Sequence, residues 1–194
     1  MIVPMVAEAT ATDFPRRRFT ADEVMRMAEQ GILGEDERVE LLDGELVVVS
    51  PQGPEHAAYV AALAQRLTDA YRGRAHVRPQ VPLDAGRYSL PEPDLAVVEG
   101  QPLDYRGHHP SGAEALLVVE IARTSQAIDH RKARIYAAAG GSVYWLVDLA
   151  ARRVEVFSEP SQHATFDRHR ILGPGDEIDL PGLDLRWQIT DIVD

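Results

Sequence analysis

The stretch Ala115-Leu-Leu-Val-Val-Glu-Ile-Ala122 decides the fold. It is a continuous apolar run broken once, at Glu120. A run of this kind reads as a strand buried on both faces, as in the sheet of an α/β protein. An ionised carboxylate in such a strand is costly unless it is paired or holds a metal. Glu120 is therefore the first residue to which chemistry attaches. A structural salt bridge is its ordinary explanation, and the segments around it have to decide between the two.

Downstream, Ser125 can cap a helix that runs to Ala139 and ends at Gly140-Gly141. At 3.6 residues per turn Ile128, Lys132, Ile135, Tyr136 and Ala139 form one inward stripe, with His130, Ala133, Arg134 and Ala137 facing out. A lysine on the inward stripe has to snorkel, pair or work. An ion pair with Asp129 or Glu120 is its structural alternative. Val143 to Val147 and Arg153 to Phe157 read as the next strands, and Trp145 as core. Short strands between Gly/Pro turns continue as far as Trp187.

Upstream, Asp94 follows Pro93 and opens the apolar segment Leu95-Ala-Val-Val98. If the Asp94 and Glu120 strands are neighbours, their carboxylates meet. Two such oxygen ligands, completed by water and a substrate phosphate, describe an Mg²⁺ site. The helix from Pro54 to Arg72 places His56, Val60, Leu63 and Leu67 on one face. Val39 to Val49 reads as a hairpin turning at Asp43-Gly44. Thr20 and Glu23 form a capping box ahead of a short helix that stops near Gly31. Residues 1 to 14 read as a loose tail, and residues 15 to 194 as a single domain.

The 194 residues include no cysteine, which removes disulfides and Cys-ligated zinc and suits a reducing cytoplasm. No apolar run approaches the roughly 20 residues of a membrane span, and no secretory leader is expected. A formal charge of −11 argues against non-specific coating of nucleic acid. It counts against a nuclease without excluding one, because a bound cation offsets clustered carboxylates. Arg16-Arg-Arg18, Arg72 to Arg78 and Arg131 to Arg134 are the basic segments that could meet phosphates. The Gly-x-Ser-x-Gly elbow, the phosphate-binding loop and the dinucleotide fingerprint are all absent. The His108-His109 pair lies in a Gly/Pro loop without further ligands at metal spacing.

Pro93-Asp94, Val118-Val-Glu120-Ile, Asp129-x-x-Lys132-x-x-x-Tyr136, Gly140 and Tyr144-Trp-Leu-Val-Asp148 occur in that order. This ordered set resembles the Uma-type family of restriction endonucleases, within the PD-(D/E)xK nuclease superfamily. The likeness continues through Val39 to Glu45, Ser50 to His56, Val154 to Phe157 and Leu180 to Leu183. It implies a restriction-endonuclease-like core: an α/β fold with a mixed sheet flanked by helices, and added hairpins or strands at both ends. It also implies a phosphodiesterase site using Mg²⁺ or Mn²⁺, with Asp94 and Glu120 as metal ligands and Lys132 as the catalytic lysine. In the superfamily that lysine usually stands two residues after the acid, where this chain has Ala122. Glu40, His56 and Tyr136 are accessory candidates. Glu40 would be an extra acid near the metal or a solvated hairpin residue, His56 a satisfied buried histidine, and Tyr136 a packing residue with a polar tip. Two segments depart from the family pattern, Ala122-Arg-Thr-Ser125 and Val143. The expected activity is Mg²⁺-dependent endonucleolytic cleavage, of DNA in preference to RNA, by a cytoplasmic homodimer. The rival is a nuclease-fold interaction or scaffold protein without turnover.

Overall fold

The structure, a computed structural model, describes residues 16–34, 36–49, 52–122 and 126–194. The proposed tail and the Ser125 cap lie outside these residues. Six strands form one sheet in the order β3 (Ala75–Pro79), β4 (Leu95–Glu99), β5 (Ala115–Ala122), β6 (Val143–Asp148), β7 (Arg153–Pro160) and β8 (Phe166–Leu172). Only β5 and β6 run parallel; every other neighbouring pair is antiparallel. A parallel pair needs a crossover, and α3 (Gln126–Ala138) supplies it.

β5 is the central strand its composition predicts. Seven of its eight residues are buried, Glu120 included. One face of the sheet takes α2 (Pro54–Ala70), whose Val60, Leu63 and Leu67 join Leu95, Val97, Leu117 and Val119 in the larger core. The hairpin of β9 (Glu177–Asp179) and β10 (Arg186–Gln188), with the short α4 (Thr190–Val193), closes the same core through Ile178, Leu180, Ile189 and Ile192. The other face takes α3, where Ala133 and Tyr136 meet Val118, Ala122, Tyr144 and Leu146. Thus β5 puts Leu117, Val119 and Ile121 on the α2 side and Val118, Glu120 and Ala122 on the α3 side, as the two-residue period of a strand requires.

The inward stripe of α3 is broader than the sequence reading, and partly different. Ile128 is 40% exposed, whereas Ala133 and Ala137, expected outside, are buried. The helix is covered from two directions. The sheet lies beneath it, and the hairpin of β1 (Val39–Leu42) and β2 (Glu45–Val48) is tied to it by Arg131, which reaches Asp43, Glu45 and the Leu42 carbonyl. A single wheel calculated for one contact surface misses the second. The hairpin turn has φ of 52° at Asp43 and 85° at Gly44, the paired positive values that Asp-Gly favours in a tight hairpin. α1 (Ala21–Glu29) carries the expected Thr20–Glu23 capping box and packs Val24 with Leu41 and Leu90.

No described helix is long and apolar enough to cross a membrane.

Candidate functional site

Asp94 stands immediately before β4, and the antiparallel register sets Leu95 opposite Val119. The Asp94 carboxylate therefore lies beside the segment that carries Glu120, and Ile121 N donates to Asp94 Oδ2 at 2.8 Å. His56, on the first turn of α2, brings Nε2 to 3.0 Å from the same oxygen. The other oxygen, Oδ1, accepts from Gln52 Nε2 at 3.2 Å and from Gln80 Nε2 at 3.3 Å. The acid and the imidazole are nearly closed to solvent, with Asp94 6% and His56 8% exposed, while the two glutamines are half-buried.

Glu120 projects from the α3 side of β5. Its Oε1 accepts from Lys132 Nζ at 2.9 Å and from the Tyr136 hydroxyl at 2.8 Å. Both donors come from α3, one helical turn apart, so the i, i+4 spacing of Lys132 and Tyr136 is what lets one helix hold the carboxylate twice. Lys132 is also paired with Glu40 on β1, whose Oε1 and Oε2 lie 3.0 and 2.8 Å from Nζ. The ammonium sits between two buried carboxylates. Asp129, the other partner the sequence offered, is not within ion-pair distance among the described contacts.

Burial pushes the Glu120 carboxyl up to about 8, with Asp94 and Glu40 adding to the effect and Lys132 opposing it. Burial works in the other direction on Lys132, but Glu120 and Glu40 outweigh it and hold the ammonium above its ordinary range. Tyr136 is raised well above its usual value by burial and by the Glu120 charge, so it stays a neutral donor. Asp129 rises to about 6 on burial, and Glu92 rises for the same reason with help from Glu40.

These groups line one cleft of about 550 Å³. Glu40, Glu92, Asp94, Glu120 and Asp129 face it, against Arg38, Lys132 and His56. Five carboxylates against two permanent cations is a donor set short of positive charge, which suits a divalent cation. Among the described residues no three His, Asp or Glu side chains converge into a closed cage. A divalent cation bound in this cleft would meet an open site, with carboxylates on one side and its remaining positions left to water and phosphate.

The trio of Asp94, Glu120 and Lys132 is brought together, and so are the accessory candidates Glu40, His56 and Tyr136. Glu40 is buried rather than a solvated hairpin residue. Ala122 lines the cleft on the side where a strand lysine would have stood. Sequence reasoning missed Gln52, Gln80, Glu92 and Arg38. The Glu92-x-Asp94 spacing carried a signal, since alternate residues of an extended chain share a face. Gln80 carried none, because its position depends on a backbone turn that glutamine rarely adopts. His108 meets the Tyr105 ring edge-on and stands apart from the cleft. Several arginines of the basic segments are engaged by acids: Arg16 with Glu45, Arg17 with Glu23, Arg72 with Asp69, and Arg131 with Asp43 and Glu45.

Residues 21–191 match the family model described as "Uma2: Putative restriction endonuclease". Among solved structures the chain is similar to "a putative nuclease belonging to DUF820" from Anabaena variabilis ATCC 29413. That match has a TM-score of 0.71 at 17% identity and covers 90% of this chain and 97% of the other. At that identity the likeness establishes the fold. No curated protein matches the chain.

Proposed function

Since the chain belongs to the Uma2 family of restriction-endonuclease-like proteins, we propose that it is a divalent-metal-dependent endonuclease that hydrolyses phosphodiester bonds in DNA. The observation that carries the reading is the meeting of Asp94, Glu120 and Lys132 in one acidic cleft. Asp94 and Glu120 would hold Mg²⁺ or Mn²⁺. Such an ion lowers the pKa of bound water and offsets charge on the phosphate under attack.

The chain's own residues then have separable tasks. His56 and the Ile121 amide fix one oxygen of Asp94. Tyr136 fixes Glu120 and, kept neutral, donates at any physiological pH. Lys132, kept charged by its two carboxylate neighbours, cannot serve as a general base near neutrality. Its role is electrostatic: to orient the attacking water and stabilise the charge that develops on the phosphate. Glu40 keeps that ammonium beside Glu120. Cutting both strands of a duplex calls for two such sites, and a homodimer supplies them.

The test is relaxation of supercoiled DNA with Mg²⁺ or Mn²⁺, comparing wild type with Asp94→Ala and Lys132→Ala. The wild type should nick or linearise the plasmid, and each variant should fall by 10²-fold or more, about the loss of one electrostatic contact to the transition state. Equal cleavage by all three would place the activity elsewhere. A wild type that binds DNA without cutting it would favour the scaffold reading.

A further inference from the structure

One residue of the Asp94 environment stands in a backbone conformation unusual for its type. β3 ends at Pro79, and Gln80 follows with φ of 51°. This is the left-handed region, where a Cβ crowds the neighbouring carbonyl. Glycine would take the same turn without that crowding. What glutamine adds is an amide at the end of a long side chain, and that amide is used.

The Gln80 main-chain N–H donates to the Asp94 carbonyl at 3.2 Å, so the turn is registered against Asp94 itself. Its Nε2 donates to Asp94 Oδ1 at 3.3 Å and also to Gln52 Oε1. Gln52 in turn donates from Nε2 to the same Oδ1 at 3.2 Å. Two glutamines, one just before α2 and one just after β3, thus close a triangle with one carboxylate oxygen. The bonds to Oδ2 are 2.8 and 3.0 Å, while both bonds to Oδ1 exceed the usual 2.9–3.0 Å. Oδ2 is held by a backbone amide and a buried imidazole, and Oδ1 by the two glutamine amides that line the cleft.

We propose that Gln80, braced by Gln52, is a positioning residue that presents Asp94 Oδ1 to a divalent cation. The inference rests on the metal reading of the site given above. A carboxylate anchored at one oxygen can still tilt and twist. The glutamine pair limits that motion before the cation arrives, so less orientational freedom is lost on binding. Partners of this kind around a ligating carboxylate typically change metal affinity by 10–100-fold.

The test is calorimetric titration with MnCl₂ of the wild type, Gln80→Gly, Gln80→Leu and Asp94→Asn, with thermal unfolding of each metal-free protein measured alongside. Glycine keeps the turn and removes the amide; leucine keeps the bulk and the crowded φ and removes the amide. Both Gln80 variants should bind Mn²⁺ about 10-fold more weakly than wild type. The glycine variant should do so while unfolding near the wild-type temperature. Wild-type affinity in Gln80→Gly, with loss in Asp94→Asn, would overturn the positioning role and leave the metal reading standing. Absence of Mn²⁺ uptake by the wild type, or unchanged uptake in Asp94→Asn, would remove both. Should the glycine variant fail to fold, the leucine variant decides by the same criterion.

Discussion

Asp129 shows how burial can dominate the behaviour of a single residue. It faces the cleft, and burial raises its carboxyl from 3.8 to about 6, with Lys132 opposing. A carboxyl whose folded pKa lies above its unfolded value binds protons more tightly when folded. Its charged form therefore costs stability, and that cost grows as pH rises from about 4 to about 6 and stays constant beyond. Two pKa units correspond to about 3 kcal/mol as an upper figure. Asp129→Asn removes the titration, so the variant should gain stability relative to wild type by about 2–3 kcal/mol between pH 4 and pH 7. Urea unfolding of both proteins at these two pH values measures it, and a difference independent of pH would contradict the assignment. Glu120 and Lys132 illustrate the complementary case. The sequence located both, because a charge inside an apolar strand or on an inward helix face stands out against its neighbours. It offered Glu40 as an extra acid near the site or a solvated hairpin residue, and did not pair it with Lys132, because Glu40 is 80 residues before Glu120 and lies on a separate hairpin.

At the scale of elements, the site depends on how tightly α3 is held. Its C-terminal end rests on Gly112, where an added Cβ would stand 2.4 Å from Ala139 Cβ and 2.8 Å from the Ala139 carbonyl oxygen. Backbone cannot swing aside as a flexible side chain can, so the helix end itself would have to shift. Gly112→Ala should destabilise the protein by about 1–3 kcal/mol, the usual cost of overpacking. Chemical denaturation gives the number, and a neutral substitution would mean that α3 slides freely on this loop. Elements were read well where one periodicity governs them. β5, α2 and the Asp43-Gly44 hairpin stand where their patterns put them, and His56, Val60, Leu63 and Leu67 are all buried. α3 was read less well, for Ile128, Ala133 and Ala137, because two surfaces cover it and a helical wheel assumes one.

Taken whole, the molecule carries a formal charge of −11, an acidic cleft and many arginines already engaged with acids. The arginines that remain are outnumbered by the carboxylates of the chain, so little net positive charge is offered to displace the counterions of a duplex. Association with DNA should therefore depend on the divalent ion rather than on a basic surface. In fluorescence anisotropy with Asp94→Ala as the control that lacks the proposed metal ligand, wild-type affinity should rise on adding Mg²⁺ at constant ionic strength, and the control's should rise less. The slope of log K against log salt should correspond to fewer than about 4 phosphate contacts, where extensive backbone binders make about 6–10. A steep salt dependence without Mg²⁺ would reveal a basic face instead.

The sequence by itself determined the buried strand that carries Glu120, the helix that follows it and the resemblance to the family, but not which strands lie beside that one. These follow from local periodicity and from motifs in fixed order, and each is written in neighbouring residues. Only the tertiary structure decided that Glu40 pairs with Lys132, that Gln52 and Gln80 grip Asp94, and which sides of α3 are covered. Those contacts join residues far apart in the chain, and the left-handed turn at Gln80 leaves no trace in composition or spacing. The physical reason is the same throughout. A periodic pattern reports one buried face, whereas a site of this kind is assembled where several faces meet.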